Sequence, residues 1–260
     1  MANQLRTLLE QGKAAVNAWV TIPAPFAAET MAQAGWDSVT LDMQHGLMDY
    51  ATVVTCLQVL HRFPSTPLVR VPWNEPGIIG RVLDAGAMGI ICPMVNTRAE
   101  TEALVRAMRY PPLGARSHGP IRAGAYGEAG TYYKTANRDV LCFPMIETPE
   151  AIANLDAILD VPGVDGVYIG PGDLGLTMGM APSLDRREPR ILAAYETVVK
   201  KTKARGLFPG LHNATSDYSA EMQKMGFQLL TILTDSGLLL RAATAEVNRL
   251  RSLIAGNAKS

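Results

Sequence analysis

Residues 140–174 read VLCFPMIETPEAIANLDAILDVPGVDGVYIGPGDL, and the fold turns on them. Val140–Ile146 is an apolar run of the kind that a strand buried on both faces needs, and Glu147 follows it directly. Thr148–Leu159 reads as a helix. Val164–Ile169 is a second apolar run, and it ends in Gly170-Pro171-Gly172-Asp173. Strand, helix and strand, with polar residues gathered where each strand stops, form the repeating unit of a parallel α/β sheet.

The same alternation runs outward in both directions. Upstream, Val16–Ile22, Ser38–Asp42, Pro67–Val71 and Met88–Val95 read as strands, and Phe26–Ala34, Tyr50–His61, Pro76–Ala85 and Arg98–Met108 as helices. Val53, Val54, Leu57 and Leu60 recur at helical spacing, and Pro76 suits a first turn. Downstream, Leu207–Leu211 and Gln228–Leu233 are strands among helices at Pro189–Arg205, Ser216–Met225 and Leu238–Leu253. Arg109–Arg138, which opens RYPPLGARSHGP, breaks the pattern and predicts a long ordered loop with short helical pieces. Eight strands, most followed by a helix, predict a (β/α)8 barrel. A doubly wound sheet is the alternative, although the Gly-rich dinucleotide fingerprint after the first strand is missing. No repeat and no linker interrupts the chain, so the expectation is one domain over residues 1–260.

Of the 260 residues, 48% are hydrophobic and 18% charged, which argues against disorder. Lys plus Arg and Asp plus Glu are 24 each, so the chain lacks the basic excess of a nucleic-acid binder. The longest run free of charged residues, 14–28, carries Pro23 and Pro25 and falls short of the about 20 apolar residues of a membrane span. MANQLRTLLEQGK is no signal peptide, since Arg6, Glu10 and Lys13 stand where an apolar core is needed. Cys56, Cys92 and Cys142 are few and far apart, which fits a reducing cytoplasm.

In a (β/α)8 barrel the chemistry belongs at the C-terminal ends of the strands. The second strand ends in Asp42 and continues Met43, Gln44, His45; the third carries Arg70; the fourth ends at Pro93 and Met94. The fifth ends in Glu147, the sixth in the GPGD turn, the seventh near His212 and Asn213, the eighth at Asp235. Glu147 and Asp173 are hard oxygen donors suited to an octahedral cation; the same acids could cap the helices that follow. Gly170 and Gly172 let backbone N–H groups approach a carboxylate or phosphate, or simply make a tight turn. His45 is a candidate general base or a plain loop histidine, and Asp84 can orient it only if the fold brings them together. Arg70, in an apolar strand, needs an anion, either substrate or a structural acid. No lysine lies in a predicted strand or at its C-terminal end, so carbonyl chemistry here points to a metal rather than a Schiff base.

With these residues placed, the chain resembles the HpcH/HpaI aldolase family from about Leu5 to Arg251. The matching segments are LDMQH (41–45), VRVPWNEP (69–76), LDAGAMGIICPMV (83–95), RYPPLGAR (109–116), MIET (145–148) and GVDGVYIGPGDL (163–174). The resemblance implies a barrel of the pyruvate/phosphoenolpyruvate type. It also implies reversible aldol cleavage of 4-hydroxy-2-oxoacids to pyruvate or hydroxypyruvate plus an aldehyde, dependent on Mg²⁺, Mn²⁺ or Co²⁺. By the same resemblance Glu147 and Asp173 hold the metal, and the backbone at Gly172 and Asp173 holds the 2-oxoacid carboxylate. His45 is the base, Asp84 raises its basicity, Arg70 stabilises the enolate or alkoxide, and Trp19 lines the pocket. A homohexamer of two trimers, exchanging the last helix, is implied too. Three positions depart from the family pattern: Gln44 stands for Glu, Met145 for a substrate-contacting Gln, and His212 for Leu. They are expected to shift donor or aldehyde preference, towards hydroxypyruvate or another small oxoacid. The alternatives are a related lyase acting on acyl-CoA thioesters, for which no strong Lys/Arg cluster is found, and a metal-free sugar-phosphate isomerase using the GPGD turn. A scaffold with a decayed site is opposed by the presence of His45, Arg70, Asp84, Glu147 and Asp173 together.

Overall fold

The computed structural model describes residues 3–125 and 130–257. Eight short apolar strands pair in parallel and in strict chain order: β1 (Ala15–Val20), β2 (Ser38–Asp42), β3 (Thr66–Arg70), β4 (Gly89–Cys92), β5 (Leu141–Ile146), β6 (Gly166–Ile169), β7 (Phe208–Asn213) and β8 (Leu229–Ile232). Ala15 of β1 registers with Leu229 of β8, so the sheet closes into a barrel. The doubly wound alternative is thereby excluded. Helices α1 (Gln4–Glu10), α2 (Pro25–Ala32), α3 (Tyr50–Leu60), α4 (Pro76–Asp84), α5 (Arg98–Met108) and α6 (Tyr132–Asp139) come before β5. The second half contributes α7 (Pro149–Ala153), α8 (Leu155–Leu159), α9 (Pro171–Thr177), α10 (Pro189–Ala204), α11 (Ser216–Met225) and α12 (Asp235–Asn257).

Where the elements differ from the sequence expectation, local chemistry explains it. The strand expected over Met88–Val95 stops at Cys92, because Pro93 has no N–H to give the ladder and Met94 turns to φ 54°. The helix expected over Thr148–Leu159 is two helices broken at Asn154, whose side chain donates to the carbonyl of Asn96. The irregular region after Arg109 holds a short 3₁₀ turn at Ala123–Ala125 before α6. The last helix is longer than Leu238–Leu253 at both ends.

Helix α1 closes the N-terminal end of the barrel. Asn3 caps it by accepting from the Arg6 N–H, and Leu5 and Leu9 enter the interior beside Leu68, Phe143, Phe208 and Leu229. Above that plug lies a polar layer. Asn17 donates to Thr231 and accepts from Ser38 and Thr40, while the Tyr168 hydroxyl donates to Thr231 at 2.6 Å. Every member is partnered, as low-dielectric burial demands. Outside the sheet, two apolar shells pack the helices, one around Leu57, Val82 and Leu104 and the other around Leu155, Val198 and Leu211. Among the described residues no helix is long and apolar enough to cross a membrane.

Small residues decide how tightly the interior closes. A Cβ at Gly166 would lie 2.1 Å from the Phe208 carbonyl oxygen and 2.6 Å from the Phe143 ring. Gly166→Ala is therefore expected to cost about 1–3 kcal/mol, read as a lower urea midpoint.

Candidate active site

Side chains alternate along a strand, so every second residue faces the barrel axis. At the C-terminal end this brings Trp19 of β1, Arg70 of β3, Met145 of β5 and His212 of β7 inward from the odd strands, the layered arrangement that (β/α)8 interiors adopt. They floor the mouth of the barrel. The Arg70 guanidinium lies 4.8 Å from the Trp19 ring centroid, and His212 meets the same indole edge-on at 4.9 Å. Tyr168 stacks on Trp19 from β6 at 5.6 Å. Burial, with the Arg70 charge adding to it, pushes the His212 pKa down to about 3, so it stands at the mouth as a neutral imidazole.

Register sets the next feature. Asp42 ends β2 directly beside Arg70 at the end of β3. Arg70 Nε donates to Asp42 Oδ1 at 2.8 Å and Nη2 to Oδ2 at 2.6 Å, a bidentate fork. Trp19 Nε1 donates to Oδ2, and the backbone N–H groups of Gln44 and His45 donate to Oδ1. Burial opposes charge on Asp42, but the Arg70 fork outweighs it and holds the carboxyl below its ordinary range. Among the described residues Arg70 Nη1 has no protein partner, so the pinned cation keeps one edge free. Asp42 was legible as a strand-end acid; its role as the anion that fixes Arg70 appears only with the register.

Glu147 and Asp173 follow neighbouring strands. Glu147 is buried, and its Oε1 accepts from the Met94 N–H at 2.7 Å. Its Oε2 is buried with no hydrogen-bond partner. Gly170 leaves the room: a Cβ there would lie 2.2 Å from Oε2. Burial raises the Glu147 pKa against the pull of the Met94 N–H, and repulsion from Asp173 raises it further, to about 7. Thr177 ties the two rims together, its hydroxyl lying 3.1 Å from the Glu147 carbonyl oxygen and 2.8 Å from that of Asp173. An orphaned carboxylate oxygen that feels the charge of a second carboxylate is a donor set that a hard divalent cation fits. Among the described residues no group of three or more His, Cys, Asp or Glu is arranged for a metal.

His45 and Gln44 lie on the loop after β2, at the same mouth. His45 is exposed, and the Gln44 Oε1 is buried without a partner. Gly172 and Asp173 form the first turn of α9, which the buried Arg186 anchors through a bond from Nε to the Pro171 carbonyl. Asp84 does not join them within one chain. It ends α4, which runs away from the mouth, and its carboxylate is bound at 2.6 Å by the buried Arg116. Within one chain Asp84 stands apart from His45, because a helix that starts at the mouth delivers its last residue to the opposite end.

The closed parallel eight-stranded barrel thus carries Glu147, Asp173 and an arginine pinned by Asp42 at its C-terminal mouth. The model of the HpcH/HpaI aldolase/citrate lyase family matches residues 16–242, and the chain belongs to that family, as an aldolase-class lyase. It is 38% identical over 251 residues to a hydroxypyruvate/pyruvate aldolase of Rhizorhabdus wittichii, covering 96% of this chain and 100% of the relative. It is 36% identical over 247 residues to a 4-hydroxy-2-oxo-heptane-1,7-dioate aldolase of Escherichia coli, covering 94% of each. The crystal structure of a HpcH/HpaI aldolase/citrate lyase family protein from Burkholderia cenocepacia superimposes with a TM-score of 0.90 at 30% identity, covering 96% of this chain and 100% of that one.

The Glu147 carboxyl gives a pH dependence to the metal-free protein. Its folded pKa of about 7 lies above the ordinary 4.5, so the folded form holds the proton more tightly. That stabilisation is complete below pH 4.5 and is lost as the pH rises through 7. Chelator-treated protein should lose stability between pH 5 and 8 in urea titrations, and Glu147→Gln should remove this part of the slope.

Proposed function

We propose that the protein is a divalent-metal-dependent aldolase that cleaves 4-hydroxy-2-oxoacids reversibly to pyruvate or hydroxypyruvate and an aldehyde. The observation that carries this reading is the buried Glu147 Oε2, unpartnered and within reach of the Asp173 charge. Both side chains would hold Mg²⁺, Mn²⁺ or Co²⁺. When bound, such a cation supplies Lewis-acid polarisation of the 2-oxo group.

The rest of the chemistry falls to the chain's own residues. Cleavage removes the proton of the 4-hydroxyl, breaks the C3–C4 bond, and moves the electron pair towards the 2-oxo oxygen. His45 takes the hydroxyl proton and returns it in the synthetic direction. Arg70 cannot swing away, because Asp42 holds it on two atoms. Its charge is thus already in place for the negative charge left on the pyruvate fragment. The N–H groups at Gly172 and Asp173 receive the carboxylate of the oxoacid. Trp19 and Met145 give an apolar floor that keeps water from the reacting carbons, and Gln44 supplies an unpaired amide at the side.

His212 supports hydroxypyruvate as a donor. A neutral imidazole at the floor can bond the extra hydroxyl, which an aliphatic side chain there could not, and the Rhizorhabdus wittichii relative carries hydroxypyruvate in its name. The assembly supported is a homo-oligomer, in the resemblance a hexamer of two trimers. Beyond Asp235, which accepts from the Thr21 and Ile22 N–H groups, α12 exposes Leu239, Leu240, Val247, Leu250, Leu253 and Ile254. Such an apolar stripe calls for a partner surface. Only a second copy can also bring an Asp84 to His45. Three buried, unpaired cysteines support a cytoplasmic setting.

Glu147→Gln or Asp173→Asn is expected to abolish metal-dependent retro-aldol activity; full activity of either after chelation would reject the reading. His45→Ala should lower kcat by about 10²–10⁴ with an unchanged far-ultraviolet circular dichroism spectrum. In a donor panel, His212→Leu should lower the kcat/KM ratio of hydroxypyruvate over pyruvate by about fivefold, the worth of one hydrogen bond.

A further inference from the structure

We propose that Asn96 is a positioning residue for the cation site: it clamps the rim of β4 to the rim of β5, so that the Met94 N–H holds Glu147 Oε1 and leaves Oε2 free for the cation. The proposal rests on the reading of Glu147 and Asp173 as ligands and deepens it.

Met94 is one of two described non-glycine residues with positive φ, the other being Leu233. A side chain at φ 54° crowds its own backbone, so this conformation persists only where neighbours enforce it. The Met94 N–H is the group that bonds Glu147 Oε1. With the downstream chain held at the Thr97 cap of α5, relaxing φ at Met94 would swing the Pro93–Met94 peptide plane, and the N–H with it, elsewhere. Oε1 would then lose its partner, and the carboxylate could rotate away from Asp173.

The enforcement comes from Asn96. Its Nδ2 donates to the Met94 carbonyl at 3.2 Å, fixing the far side of the strained residue. Its Oδ1 accepts from the hydroxyl of Thr148, the residue next to Glu147. Its carbonyl accepts from Asn154 Nδ2 at 2.9 Å, and its own N–H donates to Glu100 at 2.7 Å. One side chain therefore bonds the neighbourhoods of both the N–H donor and the carboxylate acceptor. Thr148 is held in turn as the N-cap of α7, accepting from Ala151. None of these groups needs to touch substrate; their effect passes through the backbone of Met94.

The experiment is a Mn²⁺ titration of chelator-treated full-length protein, following free Mn²⁺ by electron paramagnetic resonance. Asn96→Ala should bind Mn²⁺ about tenfold more weakly than the parent, the usual scale for an outer partner of a ligand. Adding Met94→Gly should restore most of the lost affinity, because glycine takes positive φ without the Cβ clash and keeps the N–H. Equal affinity of Asn96→Ala and parent overturns the proposal, and so does a double variant no tighter than Asn96→Ala. If Asn96→Ala does not fold, Asn154→Ala takes its place, with an expected loss of about threefold; unchanged affinity there also overturns it. A parent protein that binds no Mn²⁺ instead overturns the ligand reading of Glu147 and Asp173.

Discussion

A carboxylate with one oxygen bonded and the other buried without a partner is costly for a protein on its own. At Glu147 that cost is increased by Asp173, whose charge repels it across the adjoining rim. Gly170 makes the room for the unpartnered oxygen, since a Cβ there would lie 2.2 Å from it. The site is coherent once a cation is supplied to the two acids. The mouth then divides by charge. The rims of β5 and β6 carry Glu147 and Asp173, and the rim of β3 carries the Arg70 cation pinned by Asp42, so an oxoacid laid between them, as proposed, would meet a positive centre on each side.

The floor of the mouth shows how the fold produces the chemistry. Odd strands deliver Trp19, Arg70, Met145 and His212 to one level. A packed layer that elsewhere in such barrels is only core here faces the mouth, as the proposed binding surface. The indole does double work there: it stacks on Tyr168 below and bonds Asp42 through Nε1. It therefore shares in holding Arg70 while shielding the interior. Beneath it the bonds among Asn17, Ser38, Thr40, Tyr168 and Thr231 keep the barrel core fixed. The groups proposed to act at the mouth are mounted on that fixed core, which preorganised electrostatics requires.

Much of this was legible in the residues. Apolar runs ending in polar residues marked the strands and, with them, the mouth; Glu147, Asp173, Arg70, His45 and His212 all fall there. The pairing of Asp42 with Arg70 needed the register of β2 against β3, which alternation alone does not supply. Helix α1 was missed because QLRTLLE is short and polar on one face, and its burial depends on the barrel it closes. Met94 carries no mark of positive φ, since glycine or asparagine is the usual signal there. Asp84 ends the helix that starts beyond β3, and position within a βα unit alone puts it at the end opposite the mouth.

The central claim is that Glu147 and Asp173 share one hard cation at the mouth. Anomalous diffraction from crystals of the protein soaked in Mn²⁺ tests it most directly. The account requires a single strong peak at about 2 Å from Glu147 Oε2 and from an Asp173 carboxylate oxygen. A peak bound elsewhere, or density at the mouth that approaches only one of the two acids, would contradict it.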